Sequence, residues 1–303
     1  MSYELYKKML RIRLVEDRLL ALCGKGEAGD LHFSRGQEGI HCGVAAALRS
    51  TDFICSHHRT ISPLLARGAD LRGLIAELLG KSTGFNGGKA GEMHVSNPSI
   101  RHAFSFQLVG TAIPVSAGLA WGLRHFHKTD DIVCVFVGDA ASSNGAFHEG
   151  CTIAAIQKVP LLIVCENNGR AGNVTSEHYL PTKTVAERMK SYRIDTWTID
   201  GNEVQNVCDY ARGAIGYVRE RGLPWLLECM TERLCAHKIG QGDVRSKEEL
   251  EKLAERDPLL LEAERLKLTL EERTAMHREL TRAIDDAFAQ VALDPTAEWA
   301  ETT

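Results

Sequence analysis

A chain of 303 residues, 44% hydrophobic and 25% charged, is long enough to bury a large core as one big α/β domain or two smaller ones. Its formal charge of −4 and its lack of a basic run leave no long-range pull toward nucleic acid or an anionic membrane, so neither is expected as a partner. No apolar run reaches the length of a membrane span.

The opening MSYELYKKMLRIRLVEDRLL intersperses Lys7, Lys8, Arg11, Arg13, Glu16, Asp17 and Arg18 among apolar residues, which predicts an amphipathic helix and not the apolar core of a signal peptide. Gly24, Gly26 and Gly29 then spell GxGxxG. A dinucleotide site needs that pattern after a strand, and here it follows a helix, so it reads as a helix-terminating loop. Gly80, Lys81 and Ser82 resemble the end of a P-loop, but the first glycine of that pattern would fall at Ile75. Nine cysteines, scattered with no CxxC pair, read as thiols of a cytoplasmic protein and not as zinc ligands.

Further on, the runs at 132–137, 161–165, 196–199 and 225–229 are short, apolar and β-branched or aromatic, and are bounded by Gly, Asp, Asn or Pro. They predict buried parallel strands, with helices over 113–126, 146–158 and 203–221 as crossovers. The expected fold is α/β, a parallel sheet with helices on both faces, occupying 1–240 together with the N-terminal helix. A helical C-terminal extension is expected over 241–303. In it Ser246 with Glu249, and Thr269 with Glu272, form potential capping boxes, the second opening a helix that runs to about Leu293.

Chemistry concentrates between Ile132 and Gly172. Asp139 is expected at the carboxyl end of one strand and Asn168 just beyond the next, the place where open α/β sheets bind ligands. A carboxylate, an amide oxygen and a nearby backbone carbonyl are hard ligands that suit Mg²⁺ while leaving positions for phosphate oxygens. Ala140, Ala141 and Ser142 are small enough to offer backbone N–H groups to a diphosphate.

Gly138-Asp139 followed by Asn167-Asn168 resembles the thiamine diphosphate fingerprint GDG…NN, with Ala140 in place of the last glycine. The segments RGQEG (35–39), HHRTISPLLARG (57–68), GGKAGEMH (87–94), VGTAIPVSAG (109–118), FHEG (147–150) and DGNEV (200–204) are similar to alpha subunits of pyruvate, branched-chain 2-oxo acid and acetoin dehydrogenases. The resemblance runs from about Tyr3 to Pro258. It implies Mg²⁺ held by Asp139, Asn168 and the carbonyl of Arg170. Arg59, Arg233 and His237 would lie on the diphosphate, Gly138, Ala140 and Ala141 beside it, and the backbone of Val109 on the aminopyrimidine. His237 and His94 are the implied catalytic histidines, whereas His32 and His148 are expected to be structural. The family loop GHSxSD reads AHKIGQGD here, so Lys238 stands where a phosphorylatable hydroxyl would be. The segment from Arg233 to Arg245 is expected to order on cofactor binding.

The resemblance further implies decarboxylation of a 2-oxo acid, with the acyl group passed to a lipoyl-bearing acyltransferase. The glutamate that activates the aminopyrimidine has no second α/β domain to sit on, and Glu38 belongs to the GQE motif instead. A separate beta subunit and an α2β2 assembly are therefore expected. Alternatives are an acetoin-cleaving or carboligating heteromer, a cofactor-free scaffold, and half of a split transketolase.

Overall fold

The computed structural model describes residues 2–29 and 31–298. The strands are β1 (Phe53–His57), β2 (His102–Phe106), β3 (Val133–Gly138), β4 (Leu161–Asn167), β5 (Arg170–Ala171), β6 (Val174–Thr175), β7 (Asp195–Asp200) and β8 (Trp225–Met230). All but β5 and β6 join one parallel sheet in the order β2-β1-β3-β4-β8-β7, and β5 pairs with β6 in a small antiparallel ribbon. The helices are α1 (Ser2–Cys23), α2 (Glu38–Ala47), α3 (Ile61–Arg67), α4 (Leu71–Leu78), α5 (Ala112–Gly122), α6 (Gly145–Gln157), α7 (Val185–Met189), α8 (Val204–Arg221), α9 (Lys247–Ala254), α10 (Pro258–Arg265) and α11 (Leu270–Ala292).

Every residue of β4 is buried, and β3 is buried up to Val137, as central strands covered on both faces must be. Alternate side chains separate the two cores. Val133, Val135 and Val137 face one way with Ile113 of α5 and Phe147 of α6, while Cys134 and Phe136 face the other with Ile40 of α2 and Val207 and Ala211 of α8. Truncating Phe136, about 1% exposed, to Ala removes a packed ring at a cost of roughly 3–5 kcal/mol.

The four sequence-read strands are present, as β3, β4, β7 and β8, and the three crossover helices as α5, α6 and α8. Strands β1 and β2 were not anticipated, because Ser56, His57, His102 and Ser105 interrupt their apolar pattern. The polar groups are buried together: Ser56 Oγ lies 3.0 Å from His102 Nε2. Both expected capping boxes form, at Ser246 with Glu249 and at Thr269 with Glu272. Helix α11 packs Ile284, Phe288 and Val291 into the same apolar cluster as Met9, Ile12 and Val15 of α1 and Leu74 of α4. The expected extension over 241–303 includes residues 299–303, which lie outside the described residues. Gly24 and Gly26 occupy the turn that ends α1, with φ of +73° at Gly26. Among the described residues no helix is long and apolar enough to cross a membrane.

Candidate active site

Parallel pairing of β3 with β4, in register from Val133↔Leu161 to Gly138↔Glu166, brings their carboxyl ends side by side. The chain leaves β3 through a tight turn at Asp139–Ser143 and leaves β4 through Asn168 and Gly169 into the β5–β6 ribbon. A cavity of about 460 Å³ opens over these ends. Its wall contains Arg59, Val109, Gly138, Asp139, Ala140, Ala141, Asn168, Arg170, Arg233 and His237, ten of the eleven residues singled out from the sequence. The eleventh, His94, is exposed and outside the lining; its neighbour Met93 faces the cavity instead.

Asp139 is about 1% exposed, and burial lifts its carboxyl to about 6 against the hydrogen bonds it accepts. One of these comes from the Tyr179 hydroxyl to Oδ2. Asn168 accepts from the backbone N–H of Arg170 through Oδ1 at 3.1 Å and donates from Nδ2 to Gln37 Oε1 at 3.2 Å. Ala140 has no positive φ, so alanine fits the place where the fingerprint has glycine. The donor set, a carboxylate plus an amide oxygen beside the backbone of Arg170, fits a hard divalent cation.

Two guanidinium groups line the same cavity. Arg59 and Arg233 are 4% and 2% exposed, and among the described residues neither forms an ion pair. Arg59 donates to Phe33 O at 2.6 Å, and Arg233 to Gly172 O at 2.9 Å and Cys235 O at 3.1 Å. Burial, and then the charge of Arg59, lower Arg233 to about 10. Two buried cations without an ion pair among the described residues are costly, and an anion in the cavity offsets that cost.

Three imidazoles line the same wall. The rings of His32, His58 and His237 lie 4.6 to 5.7 Å apart, close enough for a transition metal to be considered. Burial pushes His58 well below the usual imidazole range and His237 down to about 4, so both rings are neutral at pH 7. His58 Nε2 is buried without a hydrogen-bond partner among the described residues. With the two guanidinium groups beside them, these rings suit N–H donation to an anion better than ligation of a dication. His32 is tied to Glu92, whose carboxylate accepts from the His32 backbone N–H and lies 3.0 Å from ring Nδ1. His148 is bonded to Tyr192 and stands outside the cavity wall.

Gln37, His57, His58 and Glu166 also line the cavity and were not singled out from the sequence. Gln37 sits in RGQEG, the two histidines precede Arg59, and Glu166 precedes the Asn pair, so each was adjacent to a recognised motif. Glu166 is buried, accepts from His41 and His57 at 2.9 Å each and from Gln37, and is held well below the usual carboxylate range by the two histidines against the effect of burial. Gly36 makes the turn before Gln37 possible: its φ is +94°, and a Cβ there would stand 2.3 Å from Glu232 O.

The dehydrogenase E1 component family model matches residues 6–299. The chain is 34% identical over 258 residues to the alpha subunit of acetoin:2,6-dichlorophenolindophenol oxidoreductase of Bacillus subtilis, covering 84% of this chain and 77% of that one. It is 30% identical over 258 residues to the pyruvate dehydrogenase E1 component subunit alpha of Rickettsia conorii, covering 84% and 79% respectively. To the same subunit of Rhizobium meliloti it is 29% identical over 300 residues, covering 98% and 84%. Together with a parallel sheet carrying Asp139 and Asn168 on adjacent strand ends, these matches establish that the chain belongs to the dehydrogenase E1 component family, as an alpha subunit of the thiamine diphosphate-dependent 2-oxo acid dehydrogenases.

Proposed function

We propose that this alpha subunit grips the diphosphate of thiamine diphosphate through Mg²⁺, held by Asp139, Asn168 and the carbonyl of Arg170, and through Arg59, Arg233 and His237. The observation that carries the proposal is the pair of buried guanidinium groups, without an ion pair among the described residues, lining one cavity with a carboxylate and an amide oxygen. An Mg²⁺–diphosphate unit would suit this lining, the two oxygens holding the metal and the two cations the phosphate. Thiamine diphosphate supplies the electron sink for decarboxylation of a 2-oxo acid. The protein's own residues bind and orient, and Val109 offers backbone groups at the cavity mouth.

The glutamate that activates the aminopyrimidine is assigned to a beta subunit. Glu166 is committed to three donors, and Glu38 is locked at 2.6 Å to Arg13, which also holds Asp257 at 2.9 Å, so neither carboxylate is available for that role. An α2β2 assembly, transfer of the acyl group to a lipoyl-bearing acyltransferase and a cytoplasmic location complete the proposal, the last supported by the cysteine usage. Acetoin cleavage is the second reading, favoured by the 34% identity to the acetoin oxidoreductase subunit. The purified chain alone is expected to turn over neither 2-oxo acids nor acetoin, and co-expression with the neighbouring reading frame is expected to restore turnover. Robust decarboxylation by the isolated chain would contradict the division of labour between subunits.

A further inference from the structure

A row of hydrogen bonds runs from the interior to the cavity floor. Arg59 N–H donates to His57 Nδ1 at 3.1 Å, which leaves His57 to donate from Nε2 to Glu166 Oε1 at 2.9 Å. His41 Nε2 reaches the same oxygen at 2.9 Å, and its Nδ1 faces Ser62 Oγ at 2.8 Å. The other carboxylate oxygen, Oε2, takes Gln37 Nε2. Both ends of Glu166 accept, so Gln37 must turn its amide nitrogen inward and its Oε1 outward. Asn168 must then present Nδ2 to Gln37 at 3.2 Å, and its Oδ1 is left on the side of the Arg170 N–H.

We propose that Glu166 and Gln37 are positioning residues that fix which end of the Asn168 amide faces the metal. Asn and Gln amides are nearly symmetric in shape, so packing alone does not choose between oxygen and nitrogen, and only the oxygen can ligate a cation. The relay makes that choice two side chains away from the metal. This inference rests on the reading of Asn168 as a metal ligand. Partners that orient metal ligands in this way typically contribute about 10–100-fold to metal affinity.

The relay can be run backwards. In Glu166→Gln the amide oxygen stays opposite His41 and His57, and the new NH₂ faces Gln37. Gln37 must then turn over and point its own NH₂ at Asn168, which sets the Gln37 contact against the Arg170 contact and drives the Asn168 nitrogen toward the metal. Combined with Asn168→Asp, the same reversal becomes favourable, because a carboxylate accepts at both ends.

The test is Mn²⁺ affinity, read by electron paramagnetic resonance of the free ion with thiamine diphosphate present and no substrate, on the full chain assembled with its beta subunit. Glu166→Gln is expected to weaken Mn²⁺ by at least about tenfold in the native background and to strengthen it in the Asn168→Asp background, a reversal of sign that general loosening of the cavity does not produce. No effect in the native background, or equal weakening in both, overturns the relay. Asp139→Ala is measured alongside: if it binds Mn²⁺ like the parent, the metal reading itself is wrong and the relay falls with it. If Glu166→Gln does not fold, Gln37→Met cuts the relay instead, with weakening expected in the native background and none in Asn168→Asp.

Discussion

Arg59 Nη2 lies 3.0 Å from His237 Nδ1, and because a guanidinium can only donate, that ring nitrogen accepts. The ring proton therefore sits on Nε2, and with the ring held down to about 4 by burial and by Arg59, His237 stays neutral above about pH 5.

On the proposed reading His237 is then a hydrogen-bond donor to the diphosphate and not a titrating acid near neutrality. His237→Gln, whose amide nitrogen reaches the place of Nε2, is expected to keep thiamine diphosphate affinity within about tenfold, while His237→Ala loses more by leaving a phosphate oxygen unmet. Calorimetric titrations between pH 5.5 and 8 check this. A step in affinity near pH 6.5 that disappears in His237→Gln would show that the ring titrates there instead.

The loop that carries His237 is tethered by Arg245, which donates to the carbonyls of Arg233 and Cys235 and pairs with Asp243 at 2.6 Å. Lys238 and Gly240 lie on the stretch between those anchors. Cleavage by trypsin at Lys238 is expected to slow when thiamine diphosphate and Mg²⁺ bind, since contacts from Arg233 and His237 then add to the Arg245 tether. Arg245→Met is expected to speed cleavage in the cofactor-free protein. Cofactor binding with an unchanged cleavage rate would mean that the loop does not close on the diphosphate.

Stability carries its own pH signature. Glu16 is buried, Oε1 takes the Ser34 N–H at 2.8 Å, and Oε2 has no hydrogen-bond partner among the described residues. Burial, then the charge of Glu38, lifts it from 4.5 to about 8. A carboxyl raised in the folded state contributes stability that is fully present below pH 4.5 and is lost as pH rises through about 8. Glu92, also lifted to about 8, shares that window. Urea unfolding from pH 5 to 8 should show a falling free energy, each group adding at most about 1.4 kcal/mol per pH unit. Glu16→Gln should remove one of the two contributions. An unaltered slope in that variant would place the titrating group elsewhere.

The strand ends that carry Asp139 and Asn168, the proposed metal ligands, were legible because strands such as IVCVFV and LLIVC announce themselves by unbroken apolar runs. Arg59, Arg233 and His237 were legible only through motif resemblance, and the strand that precedes Arg59 was not. Strand β1 leads into His57, His58 and Arg59, but its buried Ser56 and His57 spoil the apolar signal, since two of their partners, His102 and Glu166, come from distant parts of the chain. Glu166 looked like part of a motif and turned out to be the acceptor for three side chains, a role that depends on strand register and not on spacing. His32, expected to be structural, is held by Glu92 and yet lines the cavity, so a structural bond and a place in the wall coincide in one ring.

The central claim is that Asp139 anchors Mg²⁺ and, through it, thiamine diphosphate. The most direct measurement is isothermal titration of thiamine diphosphate with Mg²⁺ into the chain assembled with its beta subunit, parent against Asp139→Ala, with circular dichroism confirming that the variant is folded. Removing the one carboxylate of the donor set is expected to abolish measurable binding of metal and cofactor together. A folded Asp139→Ala protein that binds both with the parent's affinity would contradict the account.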